Sequence, residues 1–457
     1  MVAKGDMVYA WSTDADILEK GECGGAVTTL LKYALESGMV DAVFAVKKGQ
    51  DLYDAVPVLI TDPAEVIETA GSLHTGTLLL SKLFKKWLNG ARDMKIAVPL
   101  KGCDVMGMYE LAKREQINLD NVIMIGLNCG GSVSSITARK MIADKFGVNP
   151  DDVVKEEIDK GQFIIITKDG EHKGISIDDL EEEGYGRRPN CRRCKMKIPR
   201  QADLACGNWG VIGDKAGKAT FIEVCSEKGA NLVSGAEKAG ALATEAPIPK
   251  GIEIRGKVEK AMLKLGDQWR EKDFASLGEG TDRLKKIMEE TSRCIKCYQC
   301  IEQCPICYCV ECSTKKPYLV EPGRVPPPFM FHLIRFSHIS DSCINCGQCQ
   351  ELCAMDIPNA LFMHALQTEM EKMFGFTPGV NMDLPVLALV EEPTERKRLA
   401  STGSATRSLT SSKTDQTNSF FFGRTGPNYS KKISRISVIA SGRGRCGAPP
   451  PGVYMPA

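Results

Sequence analysis

The chain has 457 residues, with 59 Lys plus Arg against 58 Asp plus Glu and a formal net charge of +1 at pH 7. That balance argues against a nucleic-acid binder held by phosphate contacts, and no apolar run approaches the roughly eighteen residues of a membrane span. Nineteen cysteines follow a start, MVAKGDMVYAWSTD, that shows no apolar leader, so a soluble, cytoplasmic chain using them for metal or redox chemistry is expected rather than a disulfide framework.

From residue 21 to about 145, short β-rich runs alternate with helical patterns. DAVFAVKK, VPVLIT, MKIAVPL and NVIMIGLN read as strands; VTTLLKYALESG, GTLLLSKLFKKWLNG and VMGMYELAKREQ carry helical periodicity. That is an α/β layer. Three of its loops place small or thiol residues at strand ends: GECGGAVTTLL at Gly21, PLKGCDVMG at Pro99 and GLNCGGS at Gly126. Ligands of open α/β sheets sit beyond the carboxyl ends of strands, and Gly24, Gly25, Gly130 and Gly131 would let backbone N–H groups approach a phosphate or a flavin ring, although glycine pairs also make ordinary turns. No GxGxxG opens a helix after a strand and GDKAGKAT misses the Walker spacing, so neither nucleotide fingerprint is present.

FIIITKDG and HKGISI then read as a hairpin, and TFIEVCSEKG as one further strand. Between them, NCRRCKMKIPRQADLACGNWG carries Cys191 and Cys194 as a CxxC, with Cys206 farther on in a glycine-containing loop. A cubane needs four ligands; Cys129 or Cys103 would supply the last, Cys129 being preferred because its Gly-Gly neighbours leave room. A zinc knuckle or inert thiols are the alternatives. Arg187, Arg188, Arg192 and Arg193 would offset the charge of a cluster, or form a solvated basic loop. Residues 258–292 are charged and helical, as suits a connector.

Cys294, Cys297, Cys300 and Cys304 keep the spacing C-x2-C-x2-C-x3-C and are followed by Pro305; Cys343, Cys346, Cys349 and Cys353 repeat it. This is the bacterial ferredoxin run, whose fourth cysteine serves the other cluster in two-cluster proteins. Zinc sites pair two CxxC knuckles and do not use such a staircase. The long spacer contains PPPFMFHLIRFSHIS, prolines followed by a helix, and PNALFMHALQTEMEKMFG follows the second run as another helix, so an all-helical ferredoxin fits better than the compact ββ type. Cys307, Cys309 and Cys312 are surplus to two cubanes, Cys225 reads as core and Cys446 as inert. After Glu395 the composition turns basic and rich in Ser and Thr, and disorder is expected.

The combination CGGAVTTLLKYALESGMVDAV, GSLHTG, GLNCGG and CRRCKMKIPRQADLACGNWG resembles the β-subunit family of coenzyme F420-reducing hydrogenase, which includes formate dehydrogenase β subunits of methanogens. The ferredoxin-type segment makes the chain look like the formate dehydrogenase branch. The resemblance spans about residues 5 to 270; one departure is KGCDVMG, where wider relatives carry Gly-x-Pro-Cys-Gln. It implies an α/β flavin-binding domain over 1–255 with FAD and one proximal [4Fe–4S] cluster, a helical connector over 256–290, an all-helical two-cluster ferredoxin domain over 291–385 and a tail over 395–457. It implies three clusters in all, with electrons from formate, oxidised on a molybdenum- or tungsten-pterin α subunit, passing through them to FAD and on to coenzyme F420, a deazaflavin that takes hydride. A larger methanogenic electron-transfer complex is a further implied partner. By position in the family motif, Gly24, Gly25, Val27 and Thr28 lie along the flavin at a helix N-terminus suited to its diphosphate, with Ser72 and His74 on the next loop. A hydrogenase β subunit, another F420 oxidoreductase subunit, a flavin-free iron–sulfur carrier and an NAD-linked diaphorase are the alternatives.

Overall fold

The structure, a computed structural model, describes residues 2–381 apart from Lys160. The expected disordered tail and Cys446 lie outside the described residues. Eleven strands occur among them: β1 (Met7–Ser12), β2 (Ala42–Lys48), β3 (Ala55–Ile60), β4 (Ile96–Lys101), β5 (Val122–Leu127), β6 (Val153–Asp159), β7 (Gln162–Thr167), β8 (His172–Ser176), β9 (Leu204–Gly207), β10 (Thr220–Val224) and β11 (Leu242–Glu245). Eight form one mixed sheet in the order β11-β1-β10-β9-β5-β4-β2-β3, and β6-β7-β8 form a separate antiparallel meander. The centre, β2-β4-β5-β9, is parallel; the two flanks are antiparallel.

Both faces of that centre are covered, which is why its strands read as nearly continuous apolar runs. Ala97, Ile123 and Ile125 face one way, against Leu30, Leu31 and Ala34 of the helix Ala26–Glu36 and Leu232, Val233 and Ala236 of the helix Glu227–Lys238. Their neighbours Ile96, Val98, Leu100, Val122 and Met124 face the other, against Phe84 of the helix Leu80–Trp87 and Val105, Met108 and Leu111 of the helix Gly102–Ala112. The alternation follows from the two-residue period of a strand.

The strand expected in TFIEVCSEKG stops at Val224, because the Ser226 side chain accepts from the Gly229 N–H and starts a helix. The charged connector is two helices, Pro249–Ala275 and Gly280–Thr291, parted at Gly278 in left-handed backbone (φ 69°). Beyond it, the described residues from 291 onward hold helices and no strand, the longest being Met330–Ile339 in the spacer and Asn359–Phe374 after the second cysteine run. This segment shares an apolar cluster with the α/β half: Leu79 packs among Ile306, Phe336, Ile339, Ile344, Ile357 and Phe362, with Cys103 and Met106 against them. The Gly379 N–H donates to Glu110 Oε1 at 2.7 Å across the same seam. No helix among the described residues is long and apolar enough to cross a membrane.

Candidate functional site

The two cysteine runs fold alike. In each, the second residue after the first cysteine and the residue after the second cysteine are left-handed: Lys296 (φ 58°) and Tyr298 (φ 63°), then Asn345 (φ 51°) and Gly347 (φ 81°). Left-handed backbone costs a non-glycine residue roughly 1–2 kcal/mol, so its recurrence at Lys, Tyr and Asn is a local strain that the two runs share. A one-turn helix follows in both, Gln299–Glu302 and Gln348–Glu351. The Lys296 N–H donates to Cys294 Sγ at 3.3 Å, and the Asn345 and Gln348 N–H groups do the same for Cys343 and Cys346.

The fourth cysteines cross over. Cys353 lies within electrostatic reach of Cys294 and Cys300, and Cys304 of Cys343, Cys346 and Cys349. This produces two sets, Cys294–Cys297–Cys300–Cys353 and Cys343–Cys346–Cys349–Cys304. Cys307 and Cys304 share a side-chain hydrogen bond, which lowers Cys304 and raises Cys307. Cys309 is exposed, and Cys312 Sγ lies 2.9 Å from Thr314 Oγ1.

A third set stands at the carboxyl ends of β4 and β5. Cys103 and Cys129 follow these adjacent parallel strands, and the Cys129 N–H donates to the Lys197 carbonyl at 3.0 Å. Cys129 neighbours Cys191 and Cys194, and Cys103 neighbours Cys129 and Cys194. The Met196 N–H donates to Cys194 Sγ at 3.3 Å, while Ser132 Oγ and Asn190 Nδ2 lie 3.8 Å and 3.6 Å from Cys191 Sγ. Gly131 (φ 134°) is required: a Cβ there would stand 2.6 Å from Arg187 Cδ and 3.1 Å from Cys191 Cβ. Burial pushes Cys103, Cys129 and Cys194 up; at Cys191 burial is outweighed by Arg188 and the Ser132 hydrogen bonds, leaving it below the usual value. No three His, Cys, Asp or Glu side chains among the described residues converge as a single metal ion requires; a cubane takes its thiolates at separate corners.

Cys206, expected with Cys191 and Cys194, is not brought to them. It sits within β9, opposite Leu127 and Ile222, 1% exposed in the core beside Leu204 and Val224. Its charged neighbours are Arg255, Cys225 and Glu223, and burial pushes its thiol up to about 12. The glycine after it suggested a loop; the register of a central strand overrides that. Cys103, the weighed alternative, is the thiol the structure adds to Cys129, Cys191 and Cys194.

Of the four arginines, Arg187 is held by Glu181, Arg193 by Asp273, and Arg192 lies over the Trp269 ring at 4.5 Å. Arg188 instead faces Cys191, Cys346 and Cys103, with Glu351 as its carboxylate. Beside it the Asn190 and Asn345 side chains each donate to the other's backbone carbonyl, at 3.3 Å and 3.0 Å. The three thiol sets therefore stand in series, the Cys343 set in the middle and the Cys294 set outermost, where Cys297 is exposed.

Of the glycine loops, Gly130 and Gly131 lie with the proximal thiols, and Gly24 and Gly25 open a helix. Gly24 (φ 79°) and Gly25 (φ 66°) precede the helix Ala26–Glu36, which has no side-chain N-cap bond, with Val27 and Thr28 in its first turn. Packing demands both glycines: a Cβ on Gly24 would come 2.3 Å from the Lys218 carbonyl oxygen, one on Gly25 2.6 Å from Ile17 Cγ2. His74 neighbours Glu22, Glu157 and Lys155, and burial holds its imidazole below the ordinary value; Ser72 is exposed. Strand β6, which brings Lys155 and Glu157, was not foreseen; its charged alternation KEEID was the available signal. The residues Gly76–Leu79 line a cavity of about 380 Å³ that is bounded across by Gln303, Gln348 and Leu352.

Residues 7–85 match the family model for the N-terminal part of the coenzyme F420 hydrogenase/dehydrogenase β subunit, and residues 93–250 match that for its C-terminal part. The F420-dependent formate dehydrogenase subunit beta of Methanocaldococcus jannaschii is 53% identical over 385 residues, 84% of this chain and 99% of the relative. The F420-dependent formate dehydrogenase 1 subunit beta of Methanococcus maripaludis is 52% identical, over 83% and 97%. The coenzyme F420 hydrogenase subunit beta of Methanococcus voltae is 28% identical over 52% of this chain and 83% of its own. A chain of the F420-reducing [NiFe] hydrogenase complex of Methanosarcina barkeri shares the fold, with a TM-score of 0.52 at 22% identity over 59% of this chain and 91% of that one. This chain belongs to the coenzyme F420 hydrogenase/dehydrogenase β-subunit family.

Proposed function

We propose that the chain is the β subunit of an F420-dependent formate dehydrogenase, an oxidoreductase carrying electrons from formate, oxidised on a pterin-bearing α subunit, to FAD and coenzyme F420. One observation carries this. The likeness to formate dehydrogenase β subunits covers 84% and 83% of the chain, against 52% for the hydrogenase β subunit, so it runs on through the cysteine-rich segment.

In this reading residues 291–385 are an all-helical two-cluster ferredoxin domain. Cys294, Cys297, Cys300 and Cys353 hold one [4Fe–4S] cluster, Cys343, Cys346, Cys349 and Cys304 a second, and Cys103, Cys129, Cys191 and Cys194 the proximal one. Three features support the fit: main-chain N–H groups aimed at Cys294 and Cys194 sulfur, the exchanged fourth cysteines, and buried arginine nitrogens without partners, Arg335 Nε and Arg188 Nη2, beside these sets. Bound there, the clusters would supply single-electron transfer, and FAD would combine two such electrons with a proton into the hydride a deazaflavin accepts. The chain's residues hold and exclude: N–H groups of Gly24, Gly25, Val27 and Thr28 offer an anion site at the helix start, and the neutral His74 imidazole offers one donor and one acceptor beside Glu22. In the Cys343 set, Cys304 and Cys346 are buried, which limits water at the middle of the series.

Anaerobic purification of the native complex, with formate-driven F420 reduction as the assay, tests the reading. A pterin-bearing partner and acid-released FAD support it. Iron-replete, folded protein without FAD would make the chain an electron carrier.

A further inference from the structure

The helix Met330–Ile339 drives one cation into the place where the two C-terminal thiol sets meet. Arg335 is 5% exposed. Its Nη1 donates to Cys307 Sγ at 3.2 Å and its Nη2 to the Cys300 carbonyl at 2.8 Å, while Nε has no partner. Around it lie Cys300 of one set and Cys304 and Cys349 of the other. Every other buried arginine named above has a carboxylate: Arg187 has Glu181, Arg188 has Glu351 and Arg193 has Asp273. The hydrogen bonds of Arg335 instead end on sulfur and a carbonyl.

An electron added to a thiolate-ligated cluster deepens a negative charge in a medium that screens poorly. A fixed cation nearby stabilises the reduced form, and one placed between two clusters stabilises both. Guanidinium keeps its proton under all working conditions, so each one-electron reduction beside it proceeds without proton uptake there. We propose that Arg335 is a fixed cation shared by the two clusters of the C-terminal segment, raising the reduction potential of both together while leaving the proximal cluster alone. This rests on the cluster reading of the two thiol sets. Arg188, whose charge Glu351 offsets, faces Cys191 and Cys103 of the proximal set and Cys346 of the middle one.

The test is a redox titration of the full-length protein followed by EPR, with iron analysis alongside. Arg335→Gln keeps a donor and removes the charge; it should lower the reduced-to-oxidised ratio of both C-terminal clusters at least tenfold at a fixed potential, a shift of about 59 mV for a one-electron couple. Arg335→Lys should recover most of that, and the proximal signal should stay put in both. Unchanged potentials in iron-replete Arg335→Gln overturn the proposal and leave the cluster reading intact. Should Arg335→Gln lose iron, Arg335→Lys decides: wild-type potentials in an iron-replete Lys variant support a charge role, and iron loss there too makes Arg335 a structural tether and refutes the idea. Absence of iron from the wild-type segment sinks the cluster reading itself.

Discussion

Exchanging the two cysteines whose placement separates geometry from spacing gives the sharpest test of the proximal site. Cys206 is 1% exposed in the sheet core, so Cys206→Ala removes one buried sulfur atom and leaves a small void, costing on the order of 1 kcal/mol. Alanine is preferable to serine, whose hydroxyl would be buried without an assured partner at a further ~1–3 kcal/mol. Cys103→Ser, by contrast, strips a thiolate from the group at the ends of β4 and β5. Three cubanes give about twelve irons per chain, four each. Cys103→Ser should therefore lose roughly one third of the iron and the proximal EPR signal, and Cys206→Ala should keep all of both while melting a little lower. Iron analysis, EPR and thermal melts on anaerobic protein read the outcome. Full iron in Cys103→Ser together with iron loss in Cys206→Ala would show that the core position of Cys206 does not describe the loaded protein.

Gly24→Ala should melt lower by roughly 1–3 kcal/mol, since its Cβ meets the Lys218 carbonyl at 2.3 Å in left-handed backbone, and should release flavin; unchanged melting and flavin content would discredit the packing argument. Glu156, buried in β6, has its carboxyl pushed up to about 8 by burial. Because the unfolded chain ionises near 4.3 and the folded one near 8, stability is fully present at acid pH and falls as pH rises between these values. Glu156→Gln should thus melt higher than wild type at pH 8 and nearly equally at pH 4, and the reverse order in the melts would contradict the sign. Chain ended near Arg283 loses the cover over Leu79 and Met106, so its α/β half should melt lower and bind an apolar dye; full stability there would show that the shared cluster matters little.

The α/β layer was legible because its parallel strands are buried on both faces and announce themselves as apolar runs. Strands β1, β6, β9 and β11 were missed: β9 and β11 are four residues long, and β6 is dense in charge. The likeness of the two cysteine runs was legible in their shared spacing, and the placement of each fourth cysteine beside the other run was implied by it. The proximal set was only partly legible. Cys103 and Cys129 are brought together by neighbouring parallel strands, a relation across sequence that local pattern does not contain, whereas Cys206, on the strand paired beside Leu127, has its side chain in the sheet core. Arg335 gave no signal at all, being an ordinary arginine in a helical stretch until the spacer folds over both runs.

The exchange of Cys304 and Cys353 also bears on how such a chain is made. While it emerges from the ribosome, the first run presents Cys294, Cys297 and Cys300 without their partner; the Cys304 quartet is complete only with Cys349 and the Cys294 quartet only with Cys353. In the cluster reading, iron insertion into this segment would have to wait for its far end, and filling either site would tie the start of the segment to its end, removing loop entropy that the other would otherwise have to overcome. Maturation should therefore be cooperative, with half-loaded chains rare and damage at one site unravelling its twin.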